Sequence, residues 1–227
     1  MAETDRFKEE AAKAAVDRIR TGMVVGLGTG STVRHALEEI GERLRQGRLS
    51  AVTGVPTSEE TAAIAADLGI PLTEVGRSPI ALAIDGADEI TPDLALIKGG
   101  GGALLREKIV AAAAGEMVVI ADESKLVDRL GSTFPIPVEV ARFGVAGTLD
   151  HLLRFGHPTL RLAVDEPVIT DNGNYIVDLQ VEPLDHPVRF NELLSTVPGV
   201  VETGIFTGYA TEALIAGPGG VRILRPR

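Results

Sequence analysis

Four short stretches of the chain concentrate glycines, hydroxyls, carboxylates and lysines in patterns suited to binding or catalysis. The first is Gly26-Leu27-Gly28-Thr29-Gly30-Ser31-Thr32. Its glycines allow the backbone to approach an anion closely, and the hydroxyls of Thr29, Ser31 and Thr32 can donate to phosphate oxygens beside helix N-terminal amides. It lacks the Lys-Ser or Lys-Thr pair of a Walker A loop and the third glycine of a dinucleotide fingerprint, so the remaining readings are a phosphate cradle or a plain strand-to-helix turn. The second is Asp85-Gly86-Ala87-Asp88-Glu89, three carboxylates in a row of five residues after the apolar run Ala81 to Ile84. Such a cluster serves acid–base chemistry, holds a divalent cation, or forms a solvated turn. The third runs from Lys98 through Gly99, Gly100, Gly101 and Gly102 to Arg106-Glu107-Lys108. Four glycines in succession are costly to order, which points to close backbone approach or to amides needed for binding. Helical spacing sets Glu107 on one face with Ala103, Leu104, Val110 and Ala111, where a partly desolvated carboxylate would accept a proton; the alternative is a surface charge between two cations. The fourth is Ser124-Lys125, whose lysine either binds substrate or is a solvated loop cation. The four histidines show no metal-ligand spacing.

These groups need elements to hold them. Up to about residue 125, short β-branched runs alternate with helical-period segments, the rhythm of a parallel sheet with crossover helices. Strands are expected at Met23–Gly26, Ala51–Val55, Leu72–Val75, Ala81–Ile84, Leu94–Ile97 and Met117–Ala121, so each candidate stretch follows a strand, where open α/β sheets bind ligands. Val33, Leu37, Ile40 and Leu44 form the apolar stripe of one helix, Thr57 with Glu60 reads as the capping box of a second, and a third spans about Ala103 to Ala114. From Phe134 the order changes to βαββαβ, a ferredoxin-like arrangement, with Asn172-Gly173 marking a tight reversal. The strands expected there include Thr159–Val164 and Val200–Phe206. A final hairpin around Gly217-Pro218-Gly219-Gly220 is placed to return to the first sheet. The expected architecture is therefore α/β: a Rossmann-like parallel-sheet domain, residues 1–131 and 207–227, with an inserted smaller ferredoxin-like α+β domain, residues 132–206.

Composition narrows the partners. The chain has 227 residues, 44% of them hydrophobic, and a net charge of -10 without a basic run, which disfavours nucleic acid. Its longest uncharged stretch, Thr21 to Val33, is far short of the roughly 20 apolar residues of a membrane helix, so no membrane association is expected. The first ten residues carry three glutamates and an aspartate, unlike a secretory signal, and no export is expected. Without cysteine there is no disulfide, thiolate nucleophile or zinc finger.

Taken together, Gly28-Thr29-Gly30-Ser31-Thr32, Asp85-Gly86-Ala87-Asp88-Glu89, Lys98-Gly99-Gly100-Gly101 with Arg106-Glu107-Lys108, and Ser124-Lys125 resemble type A ribose-5-phosphate isomerase in order and spacing. Thr170-Asp171-Asn172-Gly173-Asn174 and Pro198-Gly199-Val200-Val201 extend the resemblance across essentially the whole chain. The resemblance implies a cytoplasmic enzyme that interconverts D-ribose 5-phosphate and D-ribulose 5-phosphate in the non-oxidative pentose phosphate pathway, with no metal and no cofactor, as a homodimer or a dimer of dimers. It implies that Glu107 is the general base of a cis-enediolate route, that Asp85 assists ring opening and that Lys98 stabilises charge on the C1 oxygen. It places Lys8, Thr29, Gly30, Ser31, Thr32, Gly86, Ala87, Asp88, Gly99, Gly100, Gly101 and Lys125 around the sugar phosphate. Two other readings of the same residues are a phosphosugar sensor, which would need a DNA-binding module, and a magnesium-dependent phosphohydrolase using Asp85 and Asp88.

Overall fold

The computed structural model describes residues 3–226. They form two compact units, one of residues 3–87, 106–125 and 208–226, the other of residues 88–105 and 126–207. Residues 88–105, 126–131 and 207, expected with the larger unit, thus group with the smaller.

The larger unit is built on a six-stranded sheet. Its elements are α1 (Glu3–Val16), β1 (Val24–Leu27), α2 (Ser31–Arg45), β2 (Thr53–Pro56), α3 (Glu59–Asp67) and β3 (Ile80–Asp85). After β4 (Glu89–Ile90) and β5 (Leu96–Ile97) come α4 (Leu104–Ala113) and β6 (Ala114–Asp122). The strand order is β15-β14-β6-β3-β1-β2, where β14 (Glu212–Gly217) and β15 (Gly220–Leu224) are the expected C-terminal hairpin. All neighbours are parallel except β15, which turns back on β14. A parallel sheet is covered on both faces, and β3 accordingly reads as a nearly unbroken apolar run in which only Ala81 is exposed. Val33, Leu37 and Ile40 of α2 enter the same core as Phe7, Ala11, Ala15 and Val16 of α1. Each fully buried Val, Leu or Ile contributes about 1.5–3 kcal/mol. At Gly26 in β1, a Cβ would stand 2.6 Å from Val110 Cγ1 and 3.0 Å from Ala83 Cβ, so the glycine is what lets α4 lie close to the strand.

Two local expectations are corrected here. The cap of α3 is Ser58, whose extended backbone lets Oγ accept the Thr61 N–H, and the Thr57 hydroxyl turns to Thr29 instead. Leu72–Val75 is not a strand: a single bridge joins Leu72 to Gly54, and Leu72 and Val75 are exposed beyond the sheet edge at β2.

In the smaller unit, β7 (Ile136–Val140), α5 (Val145–Leu152), β8 (His157–Leu160), a two-stranded ribbon of β9 (Leu162–Ala163) and β10 (Glu166–Pro167), β11 (Tyr175–Gln180), α6 (Pro187–Ser195) and β12 (Val200–Thr203) follow in turn. The antiparallel order β12-β7-β11-β8 is the ferredoxin-like one, with Val138, Val140, Val177, Leu179, Leu152 and Leu194 in its core. β13 (Ile205–Phe206) pairs with β5, and β5 with β4, as a separate three-stranded antiparallel sheet. The strand expected at Leu94–Ile97 therefore belongs to that sheet and not to the parallel one. The strand expected at Val200–Phe206 divides at Gly204, where a Cβ would fall 2.2 Å from the Lys98 carbonyl oxygen. That expected at Thr159–Val164 divides at Arg161. The reversal at Asn172-Gly173 is present, with Gly173 at φ 79° and a buried Glu139 carboxylate accepting from Thr170 Oγ1, Asn172 Nδ2 and Asn174 Nδ2. Among the described residues no helix is long and apolar enough to cross a membrane.

Candidate active site

In the larger unit the candidate side chains gather past the carboxyl ends of β1 and β3, which are adjacent parallel strands. The Gly28 N–H continues the ladder to the Ile84 carbonyl at 2.9 Å, so the glycine turn begins directly beside Asp85. Asp85 is 3% exposed, and its Oδ1 accepts the amides of Gly86 at 2.8 Å and Thr29 at 3.3 Å. The fit leaves no room for a side chain at 28, where a Cβ would lie 2.1 Å from Asp85 Oδ1 and 2.8 Å from Asp85 Cα. Gly28→Ala must push β1 away from β3, and overpacking of this kind costs about 1–3 kcal/mol. The expected outcome is a lowered melting temperature together with at least about a hundredfold loss of turnover, since displacements near 1 Å at a reacting centre have that scale. Thermal unfolding and steady-state kinetics on the same preparation check it.

Gly30, at φ 120°, ends the turn and caps α2, which leaves Ser31 exposed and Thr32 half-buried at the positive end of a 15-residue helix. From α1, Lys8 Nζ donates to Ser31 Oγ at 2.9 Å, which brings a cation to that helix end. Thr29 faces the other way. Its hydroxyl lies 2.7 Å from Thr57 Oγ1, 2.9 Å from Ser58 Oγ and 3.2 Å from Thr61 Oγ1, while Thr61 Oγ1 donates to the Gly28 carbonyl at 2.8 Å. This hydroxyl cluster was not anticipated beyond the capping role of Thr57. Its signal was present, because Thr57-Ser58 directly follows β2 just as Gly28-Thr29 follows β1.

Glu107 occupies the first turn of α4 and is 4% exposed, on the face that also buries Leu104, Val110 and Ala111. The alternative of a surface charge is thereby removed for Glu107, although its neighbour Arg106 is an ordinary surface cation paired with Glu59 at 2.8 Å. Lys125 ends the 3₁₀ turn, Glu123–Lys125, that follows β6, and is half-buried. Gly86 and Ala87 continue from Asp85 and are likewise half-buried.

The smaller unit carries the other candidates. Lys98 directly follows β5 and is 2% exposed, with its ammonium 5.6 Å from the centroid of the Phe206 ring. A cation over an aromatic face is attracted by the ring's negative π-cloud. The Lys98 N–H donates to Gly204 O at 2.8 Å, which fixes the start of the glycine loop. Gly99 and Gly102 take left-handed φ values of 102° and 80°, conformations that L side chains resist. Asp88 Oδ2 accepts the Gly100 N–H at 2.8 Å, and a Cβ at position 100 would lie 2.6 Å from Asp88 Oδ1. Gly100 and Gly101 are exposed. The third carboxylate of the acidic stretch behaves differently. Glu89 is fully buried and accepts from the amides of Gly131, Thr133 and Phe134 and from Thr133 Oγ1, so it is an anchor for the loop at 131–134. Among the described residues no group of three or more His, Asp or Glu side chains is placed to hold a metal ion.

A parallel sheet with a glycine turn and a helix N-terminus beyond its first strand, and a buried carboxylate on a crossover helix, define an α/β protein built to act on a small anionic molecule. Comparison with known proteins specifies which. The profile of Ribose 5-phosphate isomerase A (phosphoriboisomerase A) matches residues 53–220. Ribose-5-phosphate isomerase A of Synechococcus sp. (strain JA-3-3Ab) is 50% identical over 229 residues, covering 99% of each chain. That of Rhodopseudomonas palustris (strain BisB18) is 50% identical over 232 residues, covering 97% of this chain and 98% of its own. Among solved structures, a D-ribose-5-phosphate isomerase in complex with phospho-erythronic acid superposes with a TM-score of 0.96 at 41% identity, covering 98% of this chain and 99% of its own. Ribose 5-phosphate isomerase A of Methanocaldococcus jannaschii gives 0.93 at 42% identity over the same shares. The chain belongs to the ribose-5-phosphate isomerase A family of enzymes.

Proposed function

We propose that this enzyme interconverts D-ribose 5-phosphate and D-ribulose 5-phosphate by moving one proton between C2 and C1 of the open-chain sugar. The observation that carries the reading is the burial of Glu107 on the apolar face of α4, in a chain of this family. A carboxylate stripped of water is a stronger base toward a carbon acid than one in solution. In the aldose-to-ketose direction Glu107 removes the C2 proton, the electron pair forms the C1–C2 double bond, and the former carbonyl electrons move onto O1. The resulting cis-enediolate is reprotonated at C1 by the same carboxyl group, while the O2 proton passes to O1, which becomes a hydroxyl as the C2 carbonyl forms. Lys98 stabilises the charge that develops on O1, the role preorganised cations play in such transition states. Asp85, held by two backbone amides, assists opening of the furanose ring by proton exchange with its hydroxyl and ring oxygens. Lys8, the turn Thr29 to Thr32 at the start of α2, and Lys125 bind the phosphorylated sugar, with Asp88 and Gly99 to Gly101 completing its surroundings.

The ligand of one neighbour supports this chemistry. Phospho-erythronic acid is a four-carbon aldonic acid phosphate, a phosphorylated sugar derivative that carries negative charge on a carboxylate. Every step assigned here uses carboxylate, ammonium or hydroxyl groups of the chain. The purified protein is therefore expected to isomerise ribose 5-phosphate at an undiminished rate after treatment with EDTA. Phosphate release that depends on added magnesium, without isomerisation, would favour the hydrolase reading of Asp85 and Asp88 instead.

A further inference from the structure

Arg161 stands where the strand expected at Thr159–Val164 breaks, 62 residues from Gly99, and its guanidinium reaches the glycine loop. Nε donates to Asp178 Oδ2 at 2.8 Å and Nη2 to Asp178 Oδ1 at 2.5 Å, the two-pronged geometry that only arginine offers a carboxylate. The remaining nitrogen, Nη1, donates to the carbonyl oxygens of Gly99 at 2.9 Å and Gly100 at 3.0 Å. Asp178 lies on β11, and the Arg161 N–H is itself bonded to Ile176 O on that strand at 2.8 Å, so the clamp is anchored through both backbone and side chain.

The directions of the loop's peptides follow. A trans peptide points its C=O and N–H to opposite sides, and no cis peptide occurs among the described residues. The Gly99–Gly100 peptide is held from both sides, by Arg161 on its carbonyl and by Asp88 on its N–H at 2.8 Å. In the Gly100–Gly101 peptide the carbonyl also faces Arg161, which obliges the Gly101 N–H to face away from the guanidinium. Glycines by themselves specify no such orientation, because either sign of φ is open to them.

We propose that Arg161, braced by Asp178, is a positioning residue for the reaction: it fixes the glycine loop after Lys98 so that the Gly101 N–H is presented to the substrate as charge develops. The inference rests on the isomerase reading above and adds a part to it that no substrate atom touches. Loss of the clamp is felt mainly in kcat, since a loose donor fails most where preorganisation matters.

Steady-state isomerisation of ribose 5-phosphate by the full chain tests it, with Arg161→Gln, Arg161→Lys, Asp178→Asn and the Arg161→Gln/Asp178→Asn double variant. Arg161→Gln is expected to lower kcat by about 30- to 100-fold with KM changed less than about threefold. Arg161→Lys, which keeps the charge but not the fork, is expected to recover little of that loss. Asp178→Asn alone should lose about five- to tenfold, and the double variant should be no slower than Arg161→Gln, because both act through one clamp. If Arg161→Gln does not fold, Arg161→Lys and Asp178→Asn carry the same test. A kcat for the arginine variants within about twofold of wild type, or losses that multiply in the double variant, overturns the proposal. Failure of the wild type to turn over ribose 5-phosphate would instead overturn the isomerase reading itself.

Discussion

Glu107→Gln is expected to lower kcat by about 10²- to 10⁴-fold or more, the range spanned by loss of a general base, with KM nearly unchanged. Glutamine preserves the volume of a side chain that is 4% exposed, so its neighbours Leu104, Val110 and Ala111 need not move. An amide cannot accept a proton from carbon at neutral pH, and the shuttle between C2 and C1 then has no carrier. The measurement is twofold. Steady-state turnover gives the rate, and exchange of the C2 proton of ribose 5-phosphate with solvent deuterium reads the first half of the shuttle separately. Near wild-type exchange in this variant would assign the base to another group.

The second large effect concerns stability. Glu89→Gln is expected to cost about 3–5 kcal/mol, the loss of charge-assisted hydrogen bonds (about 1.5–3 kcal/mol) together with a buried donor left without an acceptor (about 1–3 kcal/mol). The carboxylate is fully buried, and Oε1 takes Phe134 N–H and Thr133 Oγ1 at 2.8 Å each and Thr133 N–H at 2.5 Å, while Oε2 takes Gly131 N–H at 2.6 Å. A glutamine turns an N–H₂ group toward at least one of those donors, which then loses its acceptor beside a fully buried side chain. Since native domains are stable by only about 5–15 kcal/mol, much of the margin would go. Urea unfolding should show a large drop in midpoint. A midpoint unchanged from wild type would mean that the 131–134 loop is held by its other contacts. Asp85, four residues earlier, accepts the amide of the next residue, Gly86, and that of Thr29 in the adjoining glycine turn, whereas Glu89 accepts those of a loop more than 40 residues on.

Much of this protein was legible along the chain because the relevant forces are local and periodic. The apolar run of β3, the stripe Val33-Leu37-Ile40 of α2 and the βαββαβ order each follow from which residues must leave water together. The same holds for Glu107, whose companions at i±3 and i±4 foretold its burial, and for the glycine turns, whose backbone needs no side chain. Other features depended on partners distant in sequence. Leu94 to Ile97 looked like one more parallel strand, but its register belongs to β13, more than a hundred residues away, and a short apolar run does not announce its partner. Asp88 and Glu89 read alike as acids of one cluster, and only folding gave one the glycine loop and the other a buried anchor. Arg161 carried no signal at all, since a strand-end arginine gains its meaning from Asp178 and from the carbonyls of Gly99 and Gly100. Periodicity and turn chemistry thus fixed which segments become helices, strands and glycine turns. Which hydrogen-bond donor meets which acceptor across 40 to 100 residues was decided by tertiary packing alone, because an unpaired buried polar group is too costly to leave and its partner is chosen by position in space.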